Sequence, residues 1–519
     1  MADNLAHPSN RCKWASSPNG HWLIRCDIGQ VVTIDNLPDE VLLAIFDFYL
    51  PARYQGPGSV DLLGMKEDIE SWQSLVHVCR RWRGLVFASP RRLNLRLCCT
   101  ATTPARMSLN VWPALPLLIW AGGPVDNVIA ELEHSDRIHQ IEIFLNPYTT
   151  REIEKLWTAM QVPFPELTVL YLEHKVSSYV PVLPDSFLRG SAPRLRYLDL
   201  TSISFPGILK LLLSTTHLVQ LHLDNIPHSG YFSPEAIVTC LSALTNLDFL
   251  QLGFESPQSC PDLETQPPFL PTRVVLPTLK KFWFKGDSEY LEEFLARIDA
   301  PQVYKLLITF FGDIDFNTSE LIQFISRTPQ LGVYGEAWLT FDDRQAIVKL
   351  LPQPATSDDR RVEVNVLCQG SDWQLSFLIQ MCTLSLRLLL TMENLYIGED
   401  QHPLLDWKDD IEAAEWLDLL HPFTAVKNLY LSREFAPRIA PALQELTGER
   451  TTEVFPALQN LFLEGFQPSE PVQEGIARFI SARKLINHPV VISVWDRDLW
   501  EDSDSDSYSY SDSDSEVDD

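Results

Sequence analysis

From about residue 135 to near the end of the chain, apolar positions follow one recurring pattern, apolar-x-x-apolar-x-apolar. Regular copies are RLRYLDL around Leu195 and ALQNLFL around Leu458, in which leucines fill all three apolar positions. The copies recur about every 29 residues, a spacing typical of repeat proteins. Regular copies start at Ile138, Leu167, Leu195, Leu218, Leu247, Leu279, Val303, Val426 and Leu458, and weaker ones at Glu336, Arg361, Met392 and Pro489.

Amphipathic segments at helical spacing lie between these copies, for example residues 207–213, 234–244 and 412–420. One strand and one helix per unit predicts the leucine-rich repeat arrangement, because no unit can cover its own apolar face and stacking builds a continuous core. The predicted fold class is therefore α/β, an irregular leucine-rich-repeat solenoid over 135–498 with parallel strands on one side and helices on the other. A doubly wound α/β domain is the alternative, but no Gly-rich phosphate turn follows these strands.

The front of the chain has a different pattern, that of two short amphipathic helices. Pro38 stands at a first helical position with Asp39 and Glu40 in the first turn, where the helix dipole favours acidic residues. A wide apolar stripe follows up to Tyr49, and a second one begins near Trp72. Two short helices cannot bury that much apolar surface against each other, which indicates a partner protein.

These two segments, NLPDEVLLAIFDFYL and SWQSLVHVCRRWRGLV, resemble an F-box. The family pattern has a Leu-Pro-x-Glu opening, apolar residues at helical spacing and a later Val-Cys-Arg-x-Trp. The intervening loop across residues 51–70 is longer than usual for the family. The matching residues are Leu37, Pro38, Glu40, Leu42, Ile45, Phe46, Val78, Cys79, Arg80 and Trp82. With its leucine-rich body, the chain is similar to the F-box proteins abundant in mushroom-forming fungi.

This resemblance implies that the small helical unit docks on a Skp-family adaptor, and through it on a cullin–RING ubiquitin ligase. The repeats would then bind an unknown substrate protein, so that the chain is a substrate-recognition subunit and not an enzyme. Ordinary core packing is the competing interpretation of the same apolar stripes. The expected adaptor-binding residues are Leu37, Pro38, Leu42, Ile45, Phe46, Leu75, Val78, Cys79 and Trp82.

The repeats themselves predict a substrate surface, because side chains between buried leucines of a strand point to the opposite face of the sheet. Five of the ten residues at this position in the clearer repeats are aromatic, against 10% in the whole chain. Aromatic residues in a row are typical anchors of protein interfaces when they face solvent. The ten are Glu142, Tyr171, Asp199, His222, Gln251, Trp283, Leu307, Tyr396, Tyr430 and Phe462, of which Tyr171, Asp199, His222, Trp283, Tyr396, Tyr430 and Phe462 are the predicted substrate-binding residues.

The net charge of −28 argues against a protein that binds nucleic acid through phosphate contacts. Residues 501–519 contain nine acidic residues and no basic one, which predicts a disordered acidic tail over 499–519. An acidic residue three positions on makes several of its serines candidate phosphorylation sites, although a solubilising tail is the simpler interpretation. These serines are Ser503, Ser509, Ser511, Ser513 and Ser515.

The expected location and chemistry of the protein follow from signals that its sequence lacks. No apolar stretch is long enough for a membrane span, and nine scattered cysteines suit a reducing compartment, so we expect a cytoplasmic or nuclear protein. No H-E-x-x-H, G-x-S-x-G or Walker A motif is present, and we expect no cofactor and no metal.

A scaffold or sensor outside any ligase, and an α/β hydrolase, are the alternative functions. The predicted divisions are a poorly ordered leader at 1–30, the F-box at 31–90, a connecting region at 91–134, the repeats at 135–498 and the tail at 499–519.

Overall fold

The computed structural model forms two compact units, residues 1–172 and 173–519. Both the phosphorylation candidates and the acidic tail lie outside the described residues. The structure describes residues 34–50, 70–100, 109, 111–121, 123–175, 179–257, 273–312, 318–332, 334–352, 360–368, 371–384, 389–399, 411–446, 448–465 and 470–496, together with short backbone strands at 13–16, 22–25 and 31–32.

The first unit joins a group of helices to a small parallel sheet with strand order β4-β5-β6-β7. Its strands are β1 (Lys13–Ser16), β2 (Trp22–Arg25), β3 (Val31–Val32), β4 (Leu97–Thr100), β5 (Leu117–Ala121), β6 (Ile138–Phe144) and β7 (Val169–Glu173), which ends one residue past the boundary between the units. Its helices are α1 (Asp39–Tyr49), α2 (Trp72–Val78), α3 (Arg80–Ala88), α4 (Val125–Leu132) and α5 (Thr150–Ala159).

Two stretches of this unit differ from the prediction. The leader at 1–30 contains β1 and β2, which pair in antiparallel fashion. The connecting region at 91–134 already contains β4, β5 and α4, so the strand and helix arrangement begins about forty residues earlier than the leucine pattern indicated. The pattern failed there because β4 is the short segment LCCT, in which the buried Cys99 stands in register with Ile119 and Ile141, a position that leucine fills in the regular copies.

The second unit alternates strands with helices along most of its length. Its strands are β8 (Tyr197–Thr201), β9 (Gln220–Ile226), β10 (Phe249–Phe254), β11 (Val274–Val275), β12 (Lys281–Gly286), β13 (Ile298–Asp299), β14 (Lys305–Phe311), β15 (Glu336–Phe341), β16 (Gln345–Leu351), β17 (Arg361–Leu367), β18 (Asn394–Glu399), β19 (Asn428–Leu431), β20 (Asn460–Glu464) and β21 (Val491–Trp495). Its helices are α6 (Ile208–Leu212), α7 (Pro234–Leu241), α8 (Ser288–Leu295), α9 (Ser319–Arg327), α10 (Ser371–Leu384), α11 (Ala413–Leu420), α12 (Ala436–Gln444) and α13 (Glu470–Leu485).

The main sheet of this unit has the strand order β8-β9-β10-β12-β14-β17-β16-β15-β18-β19-β20-β21. Equivalent leucines of successive repeats stand side by side in it: Leu198 pairs with Leu221, and Leu221 with Leu250. These three side chains have no exposed surface. Each strand therefore has its apolar face completed by its neighbours, and the predicted α/β fold class with parallel strands and helices is confirmed.

The sheet departs from the repeat order at β16, a strand that the leucine pattern missed. It runs antiparallel to both β15 and β17, while β17 pairs in parallel with β14 and β15 with β18. A tight turn reverses the chain before β16, where the Asp342 carboxylate accepts hydrogen bonds from the backbone N–H groups of Arg344 (2.6 Å) and Gln345 (2.7 Å). An Asp that accepts from the backbone two residues on is a turn-forming device.

The rows of buried leucines stabilise the second unit, so truncating one leucine side chain should lower the free energy of unfolding. We expect Leu250→Ala to lower the free energy of unfolding by about 2–5 kcal/mol, since it leaves a cavity between two fully buried neighbours. Leu213→Ala is the matched control, because Leu213 is 55% exposed. Urea denaturation checks both variants, and equal losses in the two would contradict the assignment of Leu250 to the core.

Candidate functional site

The helical unit at the front buries part of its apolar stripe in its own interior. Leu42 and Phe46 of α1 have no exposed surface, and Leu75 of α2 is also buried. The Phe46 ring packs on Trp82 of α3 with ring centroids 4.8 Å apart. Three of the expected adaptor-binding residues, Leu42, Phe46 and Leu75, are therefore core residues that no partner can contact in this fold, which corrects the prediction for them.

The other side of α1 presents apolar side chains to solvent. Val41 is 42% exposed, Ile45 40%, Phe48 94% and Tyr49 54%, and Pro38 before the helix is exposed as well. Their spacing places them on neighbouring positions of the helix surface. We call these five residues the α1 stripe. A helix with one apolar side in the core and a second one in solvent is typical of an interaction surface.

The remaining expected adaptor residues divide into exposed and structural positions. Val78 at the end of α2 is 58% exposed, whereas Leu37, Cys79 and Trp82 are half-buried. Cys79 caps α3, since its sulfur accepts a hydrogen bond from the backbone N–H of Trp82 at 3.4 Å. The Leu37 carbonyl accepts a hydrogen bond from an arginine of α3. These contacts give Leu37, Cys79 and Trp82 a role in holding the helices together.

Two arginines, one in α3 and one in the turn after it, make ion pairs with α1. Arg81 donates to the Asp39 carboxylate and to the Leu37 carbonyl, both at 2.6 Å, and so holds the start of α1. Arg92 donates to the Asp47 carboxylate at 3.2 Å. These ion pairs are partly exposed, so each contributes little stability by itself, but they orient the helix that carries the α1 stripe.

The predicted substrate row forms two runs of neighbouring side chains across the sheet of the second unit. Asp199 pairs in register with His222, His222 with Gln251, and Gln251 with Trp283. Farther along, Tyr396 pairs with Tyr430 and Tyr430 with Phe462. Tyr171 belongs to the first unit, where its ring lies 5.5 Å from that of Phe144.

A hydrogen-bonded cluster surrounds Asp199 and His222 in this row. The Tyr197 hydroxyl donates to Asp199 at 2.9 Å, and a ring nitrogen of His222 lies 3.3 Å from the side-chain oxygen of Gln251. The His222 ring stacks on Phe249 at 4.3 Å. Burial raises the pKa of Asp199 to about 7 and lowers the pKa of His222 to about 4, so both shifts favour the uncharged form.

Farther along the same face, four aromatic rings form one stack. Centroid distances are 4.0 Å from Trp338 to Tyr396, 4.2 Å from Tyr396 to Tyr430 and 4.4 Å from Tyr430 to Phe462, with interplanar angles of 9°, 13° and 6°. Trp495 of the last strand tilts over Tyr396 and Tyr430 at 5.8 and 5.6 Å. Parallel neighbours about 4.8 Å apart bring equivalent side chains into this contact.

The stack corrects two of the substrate predictions. Tyr396 is only 2% exposed and Tyr430 only 9%, because the neighbouring rings and Trp495 cover them. They support the face and do not anchor a ligand. The half-buried ends of the stack, Trp338 and Phe462, and farther along the half-buried Trp283, keep accessible surface.

Sequence reasoning missed Trp338, which belongs to the stack, and Trp495, which packs over it. The repeat at Trp338 was placed two residues out of register, because the small residue Ala337 occupies a position that leucine holds elsewhere. Shifting the template to begin at Tyr334 would have found Trp338. Trp495 lies in the last strand one position beyond the template, and no pattern marked it.

Beside the aromatic stack runs a ladder of amide side chains. Asn460 donates to Asn428, and Asn428 to Asn394, each at 2.7 Å, and Asn394 donates to Glu336 at 3.2 Å. Burial is the main cause that raises the pKa of Glu336. Each amide satisfies its neighbour, so polar groups are buried on the sheet without loss of hydrogen bonds.

In the described part of the chain, no group of three or more His, Cys, Asp or Glu side chains is arranged to hold a metal ion. Among the same residues, no helix combines the length and the apolar character that crossing a bilayer requires.

Comparisons with known proteins give little beyond this geometry. No protein-family model and no curated protein matches the chain. Among solved structures, it is similar to the leucine-rich repeat-containing protein LegL7 from Legionella pneumophila, with 13% identity and a TM-score of 0.27 over 65% of this chain and 97% of that one.

Because Asp199 is buried, we predict that the free energy of unfolding decreases as the pH rises and this carboxyl group ionises. Its pKa is above that of an unfolded aspartate, so its contribution to stability is full below about pH 4 and is lost as the pH rises to about 7. Asp199→Asn removes this cost, and we expect the variant to gain roughly 4 kcal/mol over the wild type above pH 7 and little at pH 4.

Urea denaturation of both proteins from pH 4 to pH 8 measures the difference. Asp185→Asn, at an exposed carboxylate of the same unit, is the control. A stability difference between wild type and Asp199→Asn that does not change with pH would contradict the buried carboxyl.

Proposed function

We propose that the protein is a substrate-recognition subunit of a Skp–cullin–F-box ubiquitin ligase. Its helical unit docks on a Skp-family adaptor through the α1 stripe together with Val78, and the sheet face of the second unit binds a substrate protein. The chain performs no catalysis of its own and works in the cytoplasm, the nucleus or both.

The observation that carries this proposal is the α1 stripe. It lies within the segment whose sequence resembles an F-box, and Phe48 alone exposes 94% of its side chain. Burying a side chain of this kind contributes about 1.5–3 kcal/mol, so the stripe offers enough driving force for a stable complex. The proposal thus uses residues that differ in part from those the sequence pattern selected.

The second unit supports the other half of the proposal. A sheet face of half-buried aromatic and polar side chains, on a rigid stack of repeats, is a typical surface for a protein partner. Trp283 and Trp338 are its accessible aromatic anchors. The half-buried His222 adds a hydrogen-bonding group at one end of the face.

Substitution of the α1 stripe tests adaptor binding. We expect Phe48→Asp and Ile45→Asp each to weaken binding of a purified Skp-family adaptor at least about tenfold, since a charge replaces a buried apolar contact. Both side chains are exposed, so thermal melting should be unchanged. Isothermal titration calorimetry on the full chain gives the affinities.

Val111→Asp is the matched control, because Val111 is a 69% exposed apolar residue of the same unit that lies off the stripe. Phe46→Asp cannot serve here, since a charge at that buried position unfolds the helices. Adaptor binding that survives both stripe variants would overturn the docking surface. A wild-type chain without any adaptor affinity leaves the repeat scaffold outside a ligase as the function.

Substitution of the sheet face tests substrate binding. We expect Trp283→Ala and Trp338→Ala to reduce the recovery of specifically cross-linked proteins at least about threefold, while adaptor affinity stays at the wild-type value. Quantitative mass spectrometry of cross-linked cell extract, with Leu213→Ala as control, gives the comparison. An unchanged set of cross-linked proteins would remove this face from the proposal.

A further inference from the structure

The repeat array of the second unit ends on an open strand. In the described part of the chain, β21 pairs with β20 on one side, and no strand lies on its other side. The five residues Val491–Trp495 contain no Lys, Pro or bulge, the usual devices that keep an edge strand from pairing. The backbone groups along this edge are therefore available for a further strand.

The apolar core of the repeats is exposed to solvent at β21. Ile492 pairs with Leu461 and Val494 with Leu463, so both continue the rows of buried leucines. Leu461 and Leu463 are buried, whereas Ile492 is 43% and Val494 70% exposed. Terminal repeats of a solenoid normally carry a polar outer face, and this one does not.

More apolar surface adjoins the open end. Leu485, the last residue of α13, is 86% exposed and Ile486 is 39% exposed. The strand is nevertheless firmly placed, because Trp495 is buried against the aromatic stack. Arg483, with no exposed surface, donates to the carbonyls of Phe455 (3.1 Å) and Leu458 (3.2 Å) and thereby anchors the end of α13. The open end is thus a well-ordered apolar surface.

We propose that a second copy of this chain covers this end, with the two β21 strands pairing in antiparallel fashion about a two-fold axis. The strand VISVW suits pairing with itself. With Ser493 on the axis, Ile492 lies opposite Val494 of the other copy on the core face, and Val491 lies opposite Trp495. Each exposed apolar residue of the strand then meets an apolar partner, as a two-fold interface requires.

Charge around the strand fits the same arrangement. In an antiparallel pair, Asp496 at the end of one strand lies near the other copy's turn before β21, where Lys484 and His488 are exposed. The competing occupant is this chain's own segment after Asp496. Its first residues carry Asp498 and Glu501, whose charges are costly to place beside Val494. The dimer does not depend on the proposed ligase function.

The mass of the full chain in solution tests the dimer. At about 100 μM, we expect light scattering to give twice the chain mass of 59.2 kDa, falling toward the single mass on dilution. Added NaCl should favour the dimer, because two chains of net charge −28 repel each other at low salt. A monomeric wild type at this concentration would overturn the proposal.

Substitutions locate the contact. Val494→Lys should give the mass of a single chain at the same concentration, with unchanged circular dichroism. Leu213→Lys, at an exposed apolar residue elsewhere in the unit, should stay dimeric. Ser493→Cys should form a disulfide-linked dimer under mild oxidation that Leu213→Cys does not form, since only residue 493 lies on the axis. A Val494→Lys protein that remains dimeric, or a Ser493→Cys dimer that does not cross-link, would refute the strand pairing.

Removal of residues 497–519 distinguishes the two occupants. If a second copy covers the end, this shortened chain remains dimeric, and its dimer is tighter because negative charge has been removed. If the chain's own segment covers the end, the wild type is monomeric and only the shortened chain associates. That second result would refute the dimer.

Discussion

No repeat of this protein can bury its own apolar face, and this constraint organises the second unit. A strand such as β10 has Leu250 covered on one side by Leu221 and on the other by Phe282, so each repeat needs both neighbours. The strands that result are close together and in register. The core therefore determines what happens on the opposite face, where every side chain stands beside its counterpart from the next repeat.

The aromatic stack and the asparagine ladder are two consequences of that spacing. Rings stack at about 4 Å and amides donate to one another because the backbone has already placed them side by side. Stacking of the rings also covers most of their surface. Tyr396 and Tyr430 in the middle of the stack are buried, whereas Trp338 and Phe462 at its ends keep accessible surface. At β21 the same constraint is unmet, since the leucine rows continue into Ile492 and Val494 with no following repeat in the described part of the chain.

The front helices obey a related rule on a smaller scale. One face of α1 packs on α3, and Arg81 and Arg92 hold the helix from both ends. An amphipathic pattern that is too wide for this packing leaves the α1 stripe in solvent. Buried and exposed apolar residues therefore alternate within a single helix, and Ile45 and Phe46 are neighbours with opposite environments.

Periodicity in the sequence was sufficient to predict the strand and helix alternation, the α/β class and the register of most repeats, because leucine spacing reports directly on burial of a strand face. It failed at β16 and at Trp338, where a tight turn and a small core residue interrupted the period. Only the tertiary structure decided which apolar residues of α1 face solvent: Phe46 and Phe48 look alike in the sequence. Their exposure depends on where α3 lies, and that is a contact between segments distant in the chain.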